Sequence, residues 1–362
     1  MEPQKEVFKQ NEEAIISGTG NPSSTISLEV FDSNNNLVAD ETATVNDSGS
    51  FEISFTAPAG SFESYSVILK QDGKVFSELN NVVFGELWLA SGQSNMQYPL
   101  AQSRTGREMF ANQQKLSKWL RVLSVPAYPG NTAGPEFTCA EPQLDIVGAE
   151  WINGENLFVY NMSAVAYFFA ADLMEKLDMP VGILNASLGG SAIASWLSRE
   201  AIDGNEEVKN DQLSADDYIE LSDWDSTKQD VYSDMTANYN HKIEALGNFR
   251  PSGMIWYQGE SDASEEEGRV YCDELSTLIH IWRKDFCNNN LPFVVVQISD
   301  NITRAAKDKG WSFIQKAQID IQSKSPNVKT VISADICEND DVHPKTKDKL
   351  ARRIAHVILN DI

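Results

Sequence analysis

Of the four histidines in the chain, one stands where it could do acid–base chemistry. His343 ends the run Asn339-Asp340-Asp341-Val342-His343-Pro344, with carboxylates three and two residues before it and a proline suited to a first helical turn. A carboxylate that accepts from one ring nitrogen fixes the tautomer and leaves the other nitrogen free to take a proton. The alternative is a capping loop whose aspartates lie near a histidine for local reasons. His241, His280 and His356 fall in helical patterns and read as packing or surface residues.

Three other segments could serve the same chemistry. The run from Gly85 to Met96 sends an apolar stretch directly into Gly92-Gln93-Ser94-Asn95. A serine on the turn after a strand presents its hydroxyl above the sheet, and its own N–H can face a developing oxyanion. Met96 stands where a GxSxG elbow needs glycine, so that motif is absent. In Asn185 to Ser191, Gly189 and Gly190 allow close backbone approach and one free N–H, or simply make a tight turn. In Trp256 to Asp262, Gln258 offers an amide donor, whereas Glu260 would repel an oxyanion and reads as an acceptor for the loop or a substrate hydroxyl. A serine, a glycine pair, an amide and an Asp-His pair together make up the inventory of an acyl-transfer site.

These segments need elements to hold them. The first 80 residues show short alternating strands at Ile26 to Phe31 and Phe51 to Phe55, a turn at Asn34 to Asn36, and a hairpin through Gln71-Asp72-Gly73. That texture predicts a small all-β sandwich over residues 1–83. Residues 84–362 alternate strands with helices. Strands are expected at Leu87 to Ala90, Val181 to Ala186, Gly253 to Tyr257, Phe293 to Ile298 and Lys329 to Ala334. Helices are expected at Ala164 to Leu177 with Ser163 as cap, Tyr271 to Phe286, Trp311 to Ser323, and Pro344 to about Asn360. The pattern is α/β, a five-stranded parallel sheet covered on both faces, with ligands expected beyond the carboxyl ends of its strands. Gln97 to Tyr160 and Asn205 to Thr236 read as irregular stretches around the mouth of the site, and Glu265 to Glu267 as a solvated face.

Fifty-three acidic residues against 29 basic ones give a net charge of −24. Such a surface repels phosphate backbones and anionic bilayers, so nucleic acid and membrane are not expected partners. No apolar run reaches transmembrane length. Met1 to Gln10 is polar and lacks the apolar core of a secretory signal, so the compartment is open: secreted if a leader has been removed, cytoplasmic otherwise. Cys139, Cys272, Cys287 and Cys337 are too few for a disulfide scaffold, and none forms a CxxC pair. On one helix, Cys272 and Cys287 would lie about 20 Å apart, beyond bridging range.

The motifs resemble those of the sialate O-acetylesterase family of carbohydrate esterases, within the SGNH hydrolase superfamily. Gly85 to Met96 resembles its nucleophile block, and Asn185 to Trp196, Trp256 to Asp262 and Asp340 to Pro344 resemble later blocks in the same order. The resemblance implies an SGNH-like three-layer α/β/α domain that hydrolyses O-acetyl esters on sugars through an acyl-enzyme, without metal or cofactor. It implies Ser94 as nucleophile, His343 as base, and the Ser94 and Gly190 amides with Gln258 as oxyanion donors. It makes Asp340 the acid, with Asp341 as alternative or a Ser94–His343 dyad, and Glu260, Asn95 and Trp196 substrate contacts. Ala90 departs from a usual cysteine and Ala194 from a frequent glutamate, the latter removing a polar contact near the pocket.

Two rivals use the same residues. A glycan-binding protein on an inactive hydrolase scaffold would use Trp196, Trp256 and Tyr257 to stack on sugars, and an acyltransferase would have to keep water from its acyl-enzyme. A nuclease or phosphatase is disfavoured by the lack of a metal-ligand cluster and a phosphate-cradling loop.

Overall fold

The computed structural model describes residues 6–112, 117–126, 146, 148–214, 218 and 234–361. Seven strands come first: β1 (Val7–Lys9), β2 (Glu13–Thr19), β3 (Thr25–Phe31), β4 (Leu37–Thr44), β5 (Ser50–Thr56), β6 (Tyr65–Gln71) and β7 (Lys74–Gly92). β2 pairs antiparallel with β5, and β3 pairs with both β4 and β6. Ile16, Phe51, Ile53 and Phe55 of the first pair share a core with Ile26, Leu28, Val30, Val67 and Leu69 of the second group, as period-2 alternation requires. The expected hairpin joins β6 to β7. Asp72 and Gly73 both take positive φ, 49° and 79°, the pattern of a turn whose twist matches its flanking strands.

β7 is 19 residues long and serves two sheets. Its first part pairs antiparallel with β6 from Lys74 to Val82, and its last part pairs parallel on both sides, from Glu86 to Gly92 on one and from Trp88 to Gly92 on the other. The expected boundary at residues 83 and 84 thus falls inside one continuous strand. The second sheet adds β8 (Leu120–Ser124), β9 (Trp151–Asn153), β10 (Val181–Ser187), β11 (Gly253–Tyr257), β12 (Phe293–Val296) and β13 (Val328–Val331).

Its order is β13-β12-β11-β7-β10-β8-β9, with β9 antiparallel to β8 and every other pairing parallel. This corrects the five-stranded expectation. β8 and β9 lie within the stretch read as irregular, and β8 was hidden by Arg121, its second residue. That side chain is buried, with guanidinium bonds to the carbonyls of Lys118, Leu120 and Asn81 and an ion pair to Glu6. The helix Glu206–Ser214 likewise occupies part of the second stretch read as irregular, and the short helix Arg199–Gly204 leads into it.

Helices cover both faces of this sheet. Ala164–Leu177 and Lys347–Asp361 share a core with Trp88, Ala90, Ile183, Ile255 and Val294. Glu265–Asp285 and Trp311–Lys324 share the other with Leu87, Leu89, Leu184, Met254 and Val295. Ser163 caps its helix, accepting from the Ala166 N–H at 3.2 Å. Glu265 to Glu267 form the first turn of their helix, where carboxylates meet the positive end of the peptide dipoles. Chain order runs from β7 to the β10 side and then to the β11 side. The carboxyl end of β7 is therefore a point where strand order reverses, and Ser94 follows it directly.

Candidate active site

The turn after β7 depends on Gly92. Its φ is 137°, and a Cβ there would lie 2.1 Å from the Tyr257 carbonyl oxygen, so only glycine fits between β7 and β11. The Gln93 N–H donates to that same oxygen at 3.0 Å, and the chain turns into the short helix Ser94–Gln97. Ser94 is half-buried. Its Oγ lies 2.9 Å from Nε2 of His343, which arrives on the loop after β13. Residues 249 positions apart are thus in hydrogen-bond contact, in the geometry of a nucleophile and its base.

Three amide side chains around Ser94 tie its turn to the other strand-end loops. Gln93 Oε1 accepts from the Gly259 and Ser261 N–H groups at 3.1 and 3.2 Å. Asn95 Nδ2 donates to Glu260 Oε1 at 2.5 Å and to the Val342 carbonyl at 2.9 Å. Gln97 Oε1 accepts from the Gly189 N–H at 2.8 Å. Gly189 also lies against Ser94, since a Cβ there would come 3.3 Å from the Cβ of that serine. The sequence reading missed Gln93 and Gln97; the sign of them was a run of amides, Gln93-Ser94-Asn95-Met96-Gln97, directly after a buried strand.

Gly190 is exposed with φ 81°, and among the described residues neither its N–H nor that of Ser94 has a recorded protein acceptor. Gln258 is different. It is fully buried, its Nε2 donates to the Ser191 carbonyl at 3.0 Å and to Asp262 Oδ2, and its Oε1 accepts from the Tyr271 hydroxyl at 2.8 Å. Both amide hydrogens are committed, which corrects its reading as an oxyanion donor. Instead, Gln258 and Asp262 hold the glycine loop from below, Asp262 Oδ1 accepting from the Ile193 N–H at 3.0 Å. Burial pushes the Asp262 carboxyl up to about 7.

The expected substrate contacts are also corrected. Asn95 is buried within the hydrogen bonds just described, and Glu260 is buried as its partner, its pKa raised by burial. Trp196 is fully buried, donates to Ser191 Oγ at 2.9 Å and packs edge-on against Trp256 and Trp282. Trp256 and Tyr257 are buried too, so the stacking surface proposed for a glycan-binding protein does not exist at these residues. Ala194 is buried as well, with its carbonyl accepting from the Thr236 N–H.

The two aspartates are separated by geometry. Asp340 is exposed and has no recorded hydrogen bond to His343. Asp341 accepts from the His343 N–H at 2.9 Å, and its charge opposes the lowering of the His343 pKa that burial and then Lys347 produce. Among the described residues Nδ1 of His343 has no hydrogen-bond acceptor. His241, read as a packing or surface residue, is buried against the Pro126 carbonyl and held down to about 3 by burial; His280 and His356 are exposed. Cys272, Cys287 and Cys337 are unbridged, and Cys139 lies outside the described residues.

Residues 84–360 match the family described as "Carbohydrate esterase, sialic acid-specific acetylesterase". The human sialate O-acetylesterase is 26% identical over 359 residues, covering 94% of this chain and 66% of its own length. The rat sialate O-acetylesterase is also 26% identical, with 96% of this chain and 69% of its own length covered. A carbohydrate acetylesterase from Xanthomonas citri superposes with a TM-score of 0.79 at 25% identity, covering 98% of this chain and 73% of that one. A match over more than half of the chain, with the Ser94–His343 contact at its centre, makes this protein a member of the sialic acid-specific acetylesterase family of carbohydrate esterases.

Proposed function

We propose that the chain hydrolyses O-acetyl esters of sugars through a serine acyl-enzyme on an SGNH-like scaffold. The contact between Ser94 Oγ and His343 Nε2 is the observation that carries the reading. His343 takes the Ser94 proton as Oγ attacks the acetyl carbonyl, forming a C–O bond and a tetrahedral oxyanion. The N–H groups of Ser94 and Gly190 face that charge. Collapse of the intermediate breaks the bond to the sugar oxygen, which leaves with the proton from His343. Water, deprotonated by His343, then attacks the acetyl-serine and frees acetate, restoring Ser94.

Asp341 is the acid of this reading. It acts by charge and by fixing the loop backbone, since it is bonded to the His343 N–H rather than to the ring. The family description and the relatives' names support an O-acetylated sialate; the −24 charge gives no long-range attraction to that anion and suits a neutral acetylated glycan equally. The test is acetate release from a panel containing O-acetylated sialosides and acetylated xylan, by wild type and Ser94→Ala. Release by the wild type alone supports the mechanism; equal release by both proteins removes it.

A further inference from the structure

Lys347 opens the helix that follows the histidine loop, and its side chain is fully buried. Its Nζ donates to Asn95 Oδ1 at 2.6 Å and lies 5.2 Å and 5.0 Å from the ring centres of Tyr98 and Tyr257. Among the described residues it has no carboxylate within ion-pair distance, so a buried ammonium is held by one amide oxygen and two aromatic faces. An interior charge without a direct counter-ion costs stability, and such groups concentrate at functional sites.

Its position explains what it does there. Asn95 is the residue after the nucleophile, and its amide hydrogens hold Glu260 and the carbonyl of Val342, the residue before the histidine. Lys347 orients that amide, because an acceptor contact to Oδ1 leaves Nδ2 to face the other two groups. Tyr98 borders both Lys347 and the base, its ring centre lying 6.4 Å from that of His343. We infer that Lys347 is a positioning residue of the hydrolysis: through Asn95 it locks the nucleophile turn to the histidine loop, and it sets a buried positive charge against the Tyr98 ring that His343 also borders.

The inference rests on the reading of Ser94 and His343 as nucleophile and base. His343 is faced by Ser94 and Tyr98 from the nucleophile segment, Asp341 from its own loop and Lys347 from the helix; Lys347 in turn feels Glu260, Glu338, Cys337 and Asp341. A positive neighbour disfavours imidazolium, so removing it raises the His343 midpoint and moves the acid limb of kcat/KM to higher pH. Burial lowers Lys347 itself to about 8, so it is charged throughout the range in which His343 titrates.

The test compares full-length wild type with Lys347→Gln, Lys347→Met and Lys347→Arg. With four histidines, NMR titration of the imidazoles resolves His343, identified by its loss in His343→Gln. The Gln variant keeps a donor for Asn95 without the charge; its His343 midpoint should rise by about half to one pH unit, and Arg should keep it near wild type. The Met variant also loses the anchor, and kcat should fall about tenfold with KM changed less than about twofold. A filler role alone would lower Tm and leave the midpoint in place. A check without variants uses the wild type: the His343 resonances should show a second inflection as Lys347 loses its proton near 8. An unmoved midpoint in Lys347→Gln, or the absence of that inflection, overturns the inference while leaving the Ser94 test untouched. Conversely, a shifted midpoint in a protein that releases no acetate removes the esterase reading and leaves the electrostatic coupling standing.

Discussion

Ser94 and His343 are half-buried, whereas Asn95, Gln258, Glu260 and Trp196, which come from the same strand ends, are between 0% and 5% exposed. The first pair keeps one side open to a ligand. The second set bonds inside the protein, Asn95 to Glu260 and to the histidine loop, and Gln258 and Trp196 to Ser191 of the glycine loop. Strand ends at a point of order reversal therefore supply two kinds of polar residue in one short run. In the proposed mechanism the working residues are those left accessible, and the others hold the backbone from which they project.

That contrast can be broken by mutation. The largest expected effect is at the open pair: Ser94→Ala should reduce kcat on the order of 10⁴-fold or more, with Tm unchanged, because a nucleophile and base act as a unit. Trp196→Ala should instead cost about 3–5 kcal/mol of stability by leaving a cavity among Trp256 and Trp282, as measured by denaturant unfolding. A Trp196 variant of normal stability with a large rise in KM would reverse the assignment of that residue.

Smaller effects separate the aspartates. Asp341→Asn should lower kcat/KM about tenfold by removing a charge that supports imidazolium, while Asp340→Asn should stay within about twofold. The opposite ranking would restore Asp340 as the acid. The pH profile follows from the open site: burial and Lys347 lower the His343 pKa, so kcat/KM should rise with pH to a midpoint below the usual 6.5 and then level. A midpoint above that value contradicts the charge arrangement. The mildest effect is that of salt. For an anionic sugar ester, kcat/KM should increase with ionic strength as the −24 surface is screened, and for a neutral one it should be indifferent.

Much of the frame was legible because it is local. Apolar runs at Gly253–Tyr257 and Val181–Ser187, and the Ser163 cap of Ala164–Leu177, show periodicity and capping that a single segment expresses by itself. Trp151–Asn153 was illegible because three residues carry no period, and Leu120–Ser124 because its arginine, Arg121, is neutralised by carbonyls and a carboxylate brought from elsewhere. The helix Glu265–Asp285 begins six residues before the expected Tyr271, since its acidic first turn reads as solvated chain until Ser264 is seen to cap it.

Residue types and spacing were enough to single out Ser94 and His343, which the fold brings into contact, because nucleophilic chemistry calls for particular side chains after particular strands. They were not enough to tell which amide faces a ligand and which is used up inside. Gln258, Asn95 and Glu260 have the same composition of donors and acceptors whether exposed or buried, and their partners lie far along the chain. Only the tertiary structure decides that, since whether a polar group is available depends on the hydrogen bonds the fold has already given it.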